Sequence, residues 1–586
     1  MHGFYGRILK INLNDKSYRV DTVSSEIYKA YLGGKGLGTY LLHRENPEGI
    51  DPLQPDNRLV FATGPVSGNS IWGSCRYGVF TKSPQTGFYA ESYAGGKAPE
   101  AIDSCGFDAI VIHGKATFPS VLAVFPDRVE FHEAGDIWGK DTYTTEDIVL
   151  ERFSSPEKDL NRPGAVVIGP AAENLVRFAV IENDYWRSAG RTGVGTVMGS
   201  KNLKGILFQG NCQRSLYNPD RLKTLFKKMA REAKENPAVN AYKTMGTPMM
   251  VKLLNDAKGF PTRYWKEGFC DHWEQINSDA LHQRCQVTPH ACLKCFMACG
   301  RLSTVQQGRH AGLKVEGPEY ETIYAFGGLC MIDSIEEIAY LNDVCDRLGL
   351  DTITAGNLCA FTMEAVQRGK IDYPIQYGDV DAVAELLEKI AYRRDIGDLL
   401  AQGIRETARE WDLEDIAVHV KGLEPPGYDP RALKGMGLAY ATSDRGACHL
   451  RATFYKPELA GMIDPEQIDG KAELFVDFED RLTLFDTLVL CRFYRDFYTW
   501  DGLGEIIHNT CGIYADKTAL QKIAANVLNL TRNFNLREGL TVEDDKLPVA
   551  LHRKLQDTGA VITEEEMNTM VRDYYRIRGW SNCISR

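Results

Sequence analysis

Around Asn211 the texture of this chain changes, and that change limits its fold more than any other feature. Before it come short β-forming runs closed by Gly or Pro: "RLVFATGP", "FDAIVIHGKA", "SVLAVFPDRVEFHEA" and "GAVVIGP". "GRILKINLNDKSYRV" alternates apolar and polar residues around Asn14-Asp15, the pattern of a β-hairpin. Beyond it "NPDRLKTLFKKMAREAKENPAVNAY" carries helical periodicity, with Asn218 as cap before Pro219. "SIEEIAYLNDVCDRLGL", "DAVAELLEKIAYRRDIGDLLAQGIRETAREW" and "ALQKIAANVLNLTRNFNLREG" continue the helical pattern. A softer break falls at Pro425-Pro426. At 586 residues the chain is too long for one core. The expectation is an α+β multidomain protein with a β-rich domain at 1–210 and mainly helical domains at 211–422 and 423–586. No short-period repeat is visible.

A net charge of −11 argues against a nucleic-acid partner. No run of about 18 apolar residues is present, so no membrane span is expected. The first twenty residues lack the apolar stretch of a secretion signal, which places the chain in the cytoplasm with reduced thiols. Most of the 15 cysteines then read as core packing.

Three cysteines do not. "HACLKCFMACG" holds Cys292, Cys295 and Cys299 in a C-x2-C-x3-C spacing. Ferredoxin-type runs have one more cysteine and a different spacing. Zinc bound by the three thiolates plus His290 is the rival, although His290 is unusually close to Cys292 for a structural zinc pair. A packed helix start that binds nothing is the third reading. A fourth ligand from elsewhere in the chain is needed to decide.

Glycine-rich loops recur without a P-loop or dinucleotide fingerprint. "RSAGRTGVGTVMGSKNLKG" combines close-approach glycines with Arg187, Arg191, Lys201 and Lys204, and Arg76 lies in a similar loop. Several such loops favour a large phosphate-bearing cofactor laid across the β domain. Glu316, Glu319 and Glu321 cluster at a Gly-Pro turn, where carboxylates are most often solvated. "DRLGLD" at 346–351 and "DTLVLC" at 486–491 resemble each other and suggest two pseudo-equivalent helix ends gripping a pseudo-symmetric ligand.

Taken in order, "GFYGRILKINL", "SPQTGF", "GFDAIVIHGKA", "IGPAAENLVRFA", "AGRTGVGTVMGSKNLK", "EGPEYET", "GLDTITAG", "YDPRALKGMGLAYATSDRGACHL" and "YYRIRGW" resemble the aldehyde:ferredoxin oxidoreductase family of tungsten enzymes. The resemblance implies a β-rich base for tungsten (or molybdenum) held by two pyranopterins, with two helical domains covering it. It also implies a [4Fe–4S] cluster and a Mg2+ ion bridging the pterin phosphates. Carried over residue by residue, Asp346, Leu350 and Asp351 contact one pterin, and Asp486 and Leu490 the other. Cys491 becomes the fourth cluster ligand beside Cys292, Cys295 and Cys299. Arg76 and Arg187 match basic residues near the phosphates. Ser188 and Tyr93 match backbone contacts to Mg2+, and Gly95 and Gly190 their neighbours. Glu321 and His449 match the side chains that face substrate. The implied partners are a small aldehyde and a ferredoxin or dedicated iron–sulfur subunit. The alternatives are reduction of a carboxylic acid or aromatic thioester, or an electron-transfer subunit alone.

Three departures stand out. Tyr340 and Asp343 replace the Glu and His that hold a bridging iron between subunits in the family, so an oligomer would lack that iron. Tyr93 stands where Asn is frequent, and Val489 where the second pterin motif has Gly.

Overall fold

The computed structural model describes residues 1–580. Two six-stranded sheets occupy the first part of the chain. In spatial order the first is built from Ser17–Thr22, Arg7–Asn12, Ala109–His113, Leu59–Ala62, Tyr77–Lys82 and Tyr89–Ala94. The second runs Val129–Glu133, Ser120–Val124, Leu203–Phe208, Gly164–Val167, Ile181–Asn183 and Arg187–Ala189. The hairpin expected at Asn14-Asp15 is present, with Asn12 opposite Ser17.

The two sheets share one topology. Each opens with an antiparallel hairpin whose first strand pairs in parallel with the sixth; the sixth then pairs antiparallel with the third, followed by the fourth and fifth. The region is thus duplicated in topology, at a period too long and a sequence too diverged for a short-period repeat to appear. The fifth strands meet at the seam, where the Arg191 N–H donates to Ser92 Oγ at 3.2 Å. Tyr93, Gly95, Ser188 and Gly190 therefore lie at or beside one line.

The remainder is mainly helical. Asn218 caps Pro219–Glu235 as its sequence suggests, accepting from the Arg221 N–H. A three-stranded sheet, Cys285–His290, Gly300–Val305 and Lys314–Glu316, interrupts the helices and was not legible beforehand. Its strands are short, and Pro289 and Gly300 within them read as breakers, so the apolar alternation is too brief to signal them. Packing also crosses the boundary expected at 422/423. Leu222 and Phe226 share a core with the first sheet and with the helices Lys471–Leu488, Trp500–Cys511 and Lys517–Arg537. Among the described residues no helix is long and apolar enough to cross a membrane.

Candidate active site and cluster centre

Cys292, Cys295 and Cys299 lie on the loop joining Cys285–His290 to Gly300–Val305, and Cys491 follows the end of Lys471–Leu488. One turn ties both arms together. Gly73 donates its N–H to Lys294 O at 3.3 Å, and its carbonyl accepts from Cys491 N at 2.9 Å. The Gly96 N–H points at Cys292 Sγ (3.2 Å) and Tyr494 Oη at Cys295 Sγ (3.4 Å). A fifth thiol, Cys75, is within hydrogen-bonding reach of Cys292 and Cys295. Its hydrogen bond is the main reason that Cys292 is pulled down to about 5, with Arg187, Gly96 N–H and Arg76 adding to it. The same bond leads the fall of Cys295 to about 7. Burial pushes Cys299 and Cys491 up. Burial also opposes the charge of Arg76, but Cys491, Cys75, Cys292 and Cys299 outweigh it and raise its pKa.

This donor set suits an iron–sulfur cluster: four thiols from two arms, backbone N–H donors to sulfur, and a buried cation beside them. His290 Nδ1 faces Glu316 Oε2 at 3.0 Å. Among the described residues, no three His, Cys, Asp or Glu side chains converge as the shell of a single ion requires.

The two similar motifs form the same backbone structure. Ile335–Leu348 ends with Gly349 at φ 78°, ψ 45°, and Lys471–Leu488 ends with Val489 at φ 51°, ψ 38°. In both, the next residue closes a Schellman turn: Leu350 N–H to Cys345 O at 2.9 Å, Leu490 N–H to Phe485 O at 2.8 Å. Each end rests on a Gly-Pro loop that follows the third strand of its sheet. A Cβ on Gly169 would come within 2.5 Å of Leu348 O, and one on Gly64 within 2.3 Å of Leu488 O.

Their carboxylates lie in opposite electrostatic surroundings. Asp346 accepts from Asn342 Nδ2 at 2.7 Å. Burial, then Asp343 and Glu316, push its pKa well above the usual range. At Asp486 burial is overcome by Arg492, Arg451 and Lys35, and the pKa is lowered. Arg451 Nη1 lies 3.1 Å from it, and Arg492 is bonded to it. Both guanidinium groups also sit over the Tyr93 ring, at 5.7 and 5.6 Å, while Tyr93 Oη donates to Glu91 at 2.6 Å. Asp351 caps Thr352–Gln367 and receives Arg191 Nε at 2.9 Å.

A cavity of about 200 Å³ brings together Ser188, Gly190, Asp346, Leu350, Asp351 and Glu321. Glu321 lies in a helical turn, Tyr320–Thr322, that continues as a π-helical stretch, Ile323–Leu329. Its Oε2 accepts from Gly427 N at 3.0 Å, and Oε1 lies 3.5 Å from His449 Nε2. Burial pushes Glu321 up to about 7. Burial, then Arg445, Arg191 and Arg492, drive His449 well below its usual value and keep it neutral.

Several buried polar atoms of this region have no protein partner: Arg187 Nε, Arg445 Nε, Arg451 Nε and Nη2, Arg492 Nε, Glu321 Oε1 and His449 Nδ1. Unanswered guanidinium nitrogens in one buried region fit a multiply anionic, phosphate-bearing group.

Comparison with known proteins decides the family. A family model described as the N-terminal domain of aldehyde ferredoxin oxidoreductase matches residues 8–210, and one for domains 2 and 3 matches residues 224–584. The chain belongs to the aldehyde ferredoxin oxidoreductase family. A tungsten-containing aldehyde ferredoxin oxidoreductase of Thermococcus kodakarensis is 34% identical over 598 residues, covering 99% of this chain and 97% of that protein. The WOR-like subunit of an aliphatic sulfonate oxidoreductase from Pyrococcus furiosus is 28% identical, with 99% and 95% covered. Among solved structures, the active site complex BamBC of benzoyl coenzyme A reductase, in complex with 1,5 dienoyl-CoA, has the same fold: its TM-score is 0.85 at 23% identity, covering 99% of this chain and 95% of that one. The protein is accordingly an oxidoreductase of a tungsten-enzyme family.

Within this member of the aldehyde ferredoxin oxidoreductase family, some sequence expectations need correction. The carboxylates at the Gly-Pro turn are not freely solvated: Glu316 is buried against Arg187 and His290, and the half-buried Glu319 accepts from Thr247. Lys201 and Lys204 do not serve a cofactor loop. Lys201 donates to Pro55 O at 2.8 Å, and Lys204 is paired with Glu173. Tyr340 stacks on His310 at 4.2 Å, and Asp343 pairs with Arg347 at 2.7 Å. Sequence reasoning missed Cys75, whose lone position in a turn gave no signal. It also missed Lys35, Glu91, Arg451 and Arg492, which converge only through the fold.

Proposed function

We propose that this protein oxidises an aldehyde to the carboxylic acid, RCHO + H2O → RCOOH + 2H⁺ + 2e⁻, and sends the electrons singly to a ferredoxin or dedicated iron–sulfur subunit. A tungsten (or molybdenum) bis-pyranopterin with a Mg2+ ion, when bound, supplies the two-electron redox centre. Asp346, Leu350 and Asp351 would hold one pterin, and Asp486 and Leu490 the other. Arg76 and Arg187, with the loops at Tyr93, Gly95, Ser188 and Gly190, would hold the phosphates and Mg2+. Cys292, Cys295, Cys299 and Cys491 would ligate one [4Fe–4S] cluster.

The observation that carries this reading is the Glu321–His449 pair, 3.5 Å apart beside a cavity that one motif helix end also lines. Neutral His449 donates its Nε2–H to the aldehyde oxygen and polarises the carbonyl. Glu321, pushed up to about 7, takes a proton at Oε1 as the water-derived oxygen adds to carbon.

Metal analysis joined to an anoxic, dye-coupled screen of aldehydes tests this. About one tungsten or molybdenum, about four iron atoms per chain and aldehyde-dependent dye reduction are expected. A fully metallated protein that oxidises no aldehyde but reduces acids or aromatic thioesters would replace the reading. The shared fold with a benzoyl coenzyme A reductase complex makes that second screen worthwhile.

A further inference from the structure

The cysteine loop comes to the surface at Ala291 and Leu293. Phe296, next to Cys295, packs on Trp72 at 5.2 Å, and Trp72 Nε1 donates to Phe226 O in the helix Pro219–Glu235. Phe493, two residues after Cys491, packs on Tyr242 at 4.4 Å, in the next helix, Pro237–Met245. Both ligand arms thus rest on one helical pair. Leu293, inside the cysteine loop, is 39% exposed.

The outer side of that pair is strongly charged. Pro219–Glu235 carries six Lys or Arg against three acidic residues, Asp220, Glu232 and Glu235, in a chain whose net charge is −11. Leu222, Phe226 and Ala233 face inward, while Lys223, Lys227, Arg231 and Lys234 form an exposed stripe at helical spacing. Arg221 is answered by Glu505 and Lys228 by Glu232; the stripe residues form no ion pair among the described residues. A positive stripe on a negative molecule is not needed for solubility, and two copies set stripe against stripe would repel.

We propose that this stripe, with Leu293, is the docking surface for a small acidic iron–sulfur electron carrier. The proposal rests on the cluster assignment above. Redox encounters use small interfaces and gain their rate from complementary charge. Lys223, Lys227 and Arg231 would steer the carrier, and the aromatic contacts Trp72–Phe296 and Tyr242–Phe493 would set its closest approach to the cysteine ligands.

The test uses the holoenzyme with an acidic [4Fe–4S] ferredoxin as acceptor and, in parallel, a small viologen dye. For a Lys223→Glu/Lys227→Glu/Arg231→Glu variant, the KM for ferredoxin should rise about tenfold or more, and its dependence on salt should flatten. Ferredoxin kcat at saturation and dye-coupled turnover should be unchanged. Lys115→Glu/Lys158→Glu, exposed elsewhere, should leave the KM near wild type. An unchanged KM and salt slope in the triple variant, or an equal rise in the control variant, would overturn the docking site. So would a wild-type enzyme that reduces dye but not ferredoxin, with the aldehyde reading intact. A wild type without aldehyde turnover would remove that reading instead.

Discussion

Val489 adopts φ 51°, ψ 38° while being 1% exposed, so two opposing effects meet at one residue. A left-handed conformation costs a non-glycine residue roughly 1–2 kcal/mol, and burying a valine side chain returns about 1.5–3 kcal/mol. Burial therefore covers the strain, which explains how the motif keeps its turn without glycine. The expected outcome is an inverted order of stabilities: Val489→Gly should cost less than Val489→Ala, by about 0.5–1 kcal/mol. Chemical denaturation of the three proteins measures it, and alanine outperforming glycine would contradict the assignment of strain. Glu321 offers a second residue-level check. Raised to about 7, it is protonated and neutral below that pH and ionised above it. If it accepts the proton in turnover, kcat should climb as pH rises through about 7. Glu321→Gln should flatten that limb and lose on the order of a hundredfold or more in kcat, with tungsten and iron content retained. A rising limb that survives the substitution would assign the base elsewhere.

At the scale of elements, the two helix ends show what a sequence can and cannot disclose. "DRLGLD" and "DTLVLC" were readable as a pair because a Schellman turn leaves a local signature, and the structure gives both the same closing hydrogen bonds. The cap at Asn218 and the hairpin at Asn14-Asp15 were legible for the same reason: each is decided within a few residues. The three-stranded sheet under the cysteine loop was not, because its strands are held by partners rather than by their own apolar alternation. Nor was the burial of Glu316, which depends on Arg187 across 129 positions of sequence. What seats each helix end is equally non-local. Gly169 and Gly64 touch the carbonyls of Leu348 and Leu488 so closely that a methyl group cannot fit without backbone movement. Gly169→Ala and Gly64→Ala should therefore each destabilise the protein by about 1–3 kcal/mol and lower its tungsten content. Thermal unfolding and metal analysis read both effects. A stable variant with full metal content would show that the loops can move apart freely.

For the molecule as a whole, duplication explains why so large a site holds together. Two sheets of one topology place their fifth strands edge to edge and support two equivalent helix ends. The scaffold is symmetric, but its charges are not. Around Asp486 lie Arg451, Arg492 and Lys35, whereas Asp346 has acidic neighbours and a raised pKa. The cationic half also retains guanidinium nitrogens that no protein atom answers, on Arg445, Arg451 and Arg492. Buried N–H donors left without a partner cost about 1–3 kcal/mol each, and a ligand that binds only the folded state adds stability according to its concentration relative to Kd. Filling the site with an anionic cofactor should therefore stabilise the fold beyond any effect on activity. Protein from cells grown without tungstate or molybdate should unfold at least about 5 °C below the loaded protein, on the usual scaling of a few degrees per kcal/mol. Arg451→Gln removes two of those unanswered donors, so it should narrow that gap, while the loss of its pairing with Glu91 and Asp486 lowers the Tm of both forms. Differential scanning calorimetry on the four samples measures both quantities. Equal Tm values for the loaded and cofactor-free wild type would mean that the arginines are already satisfied without the cofactor.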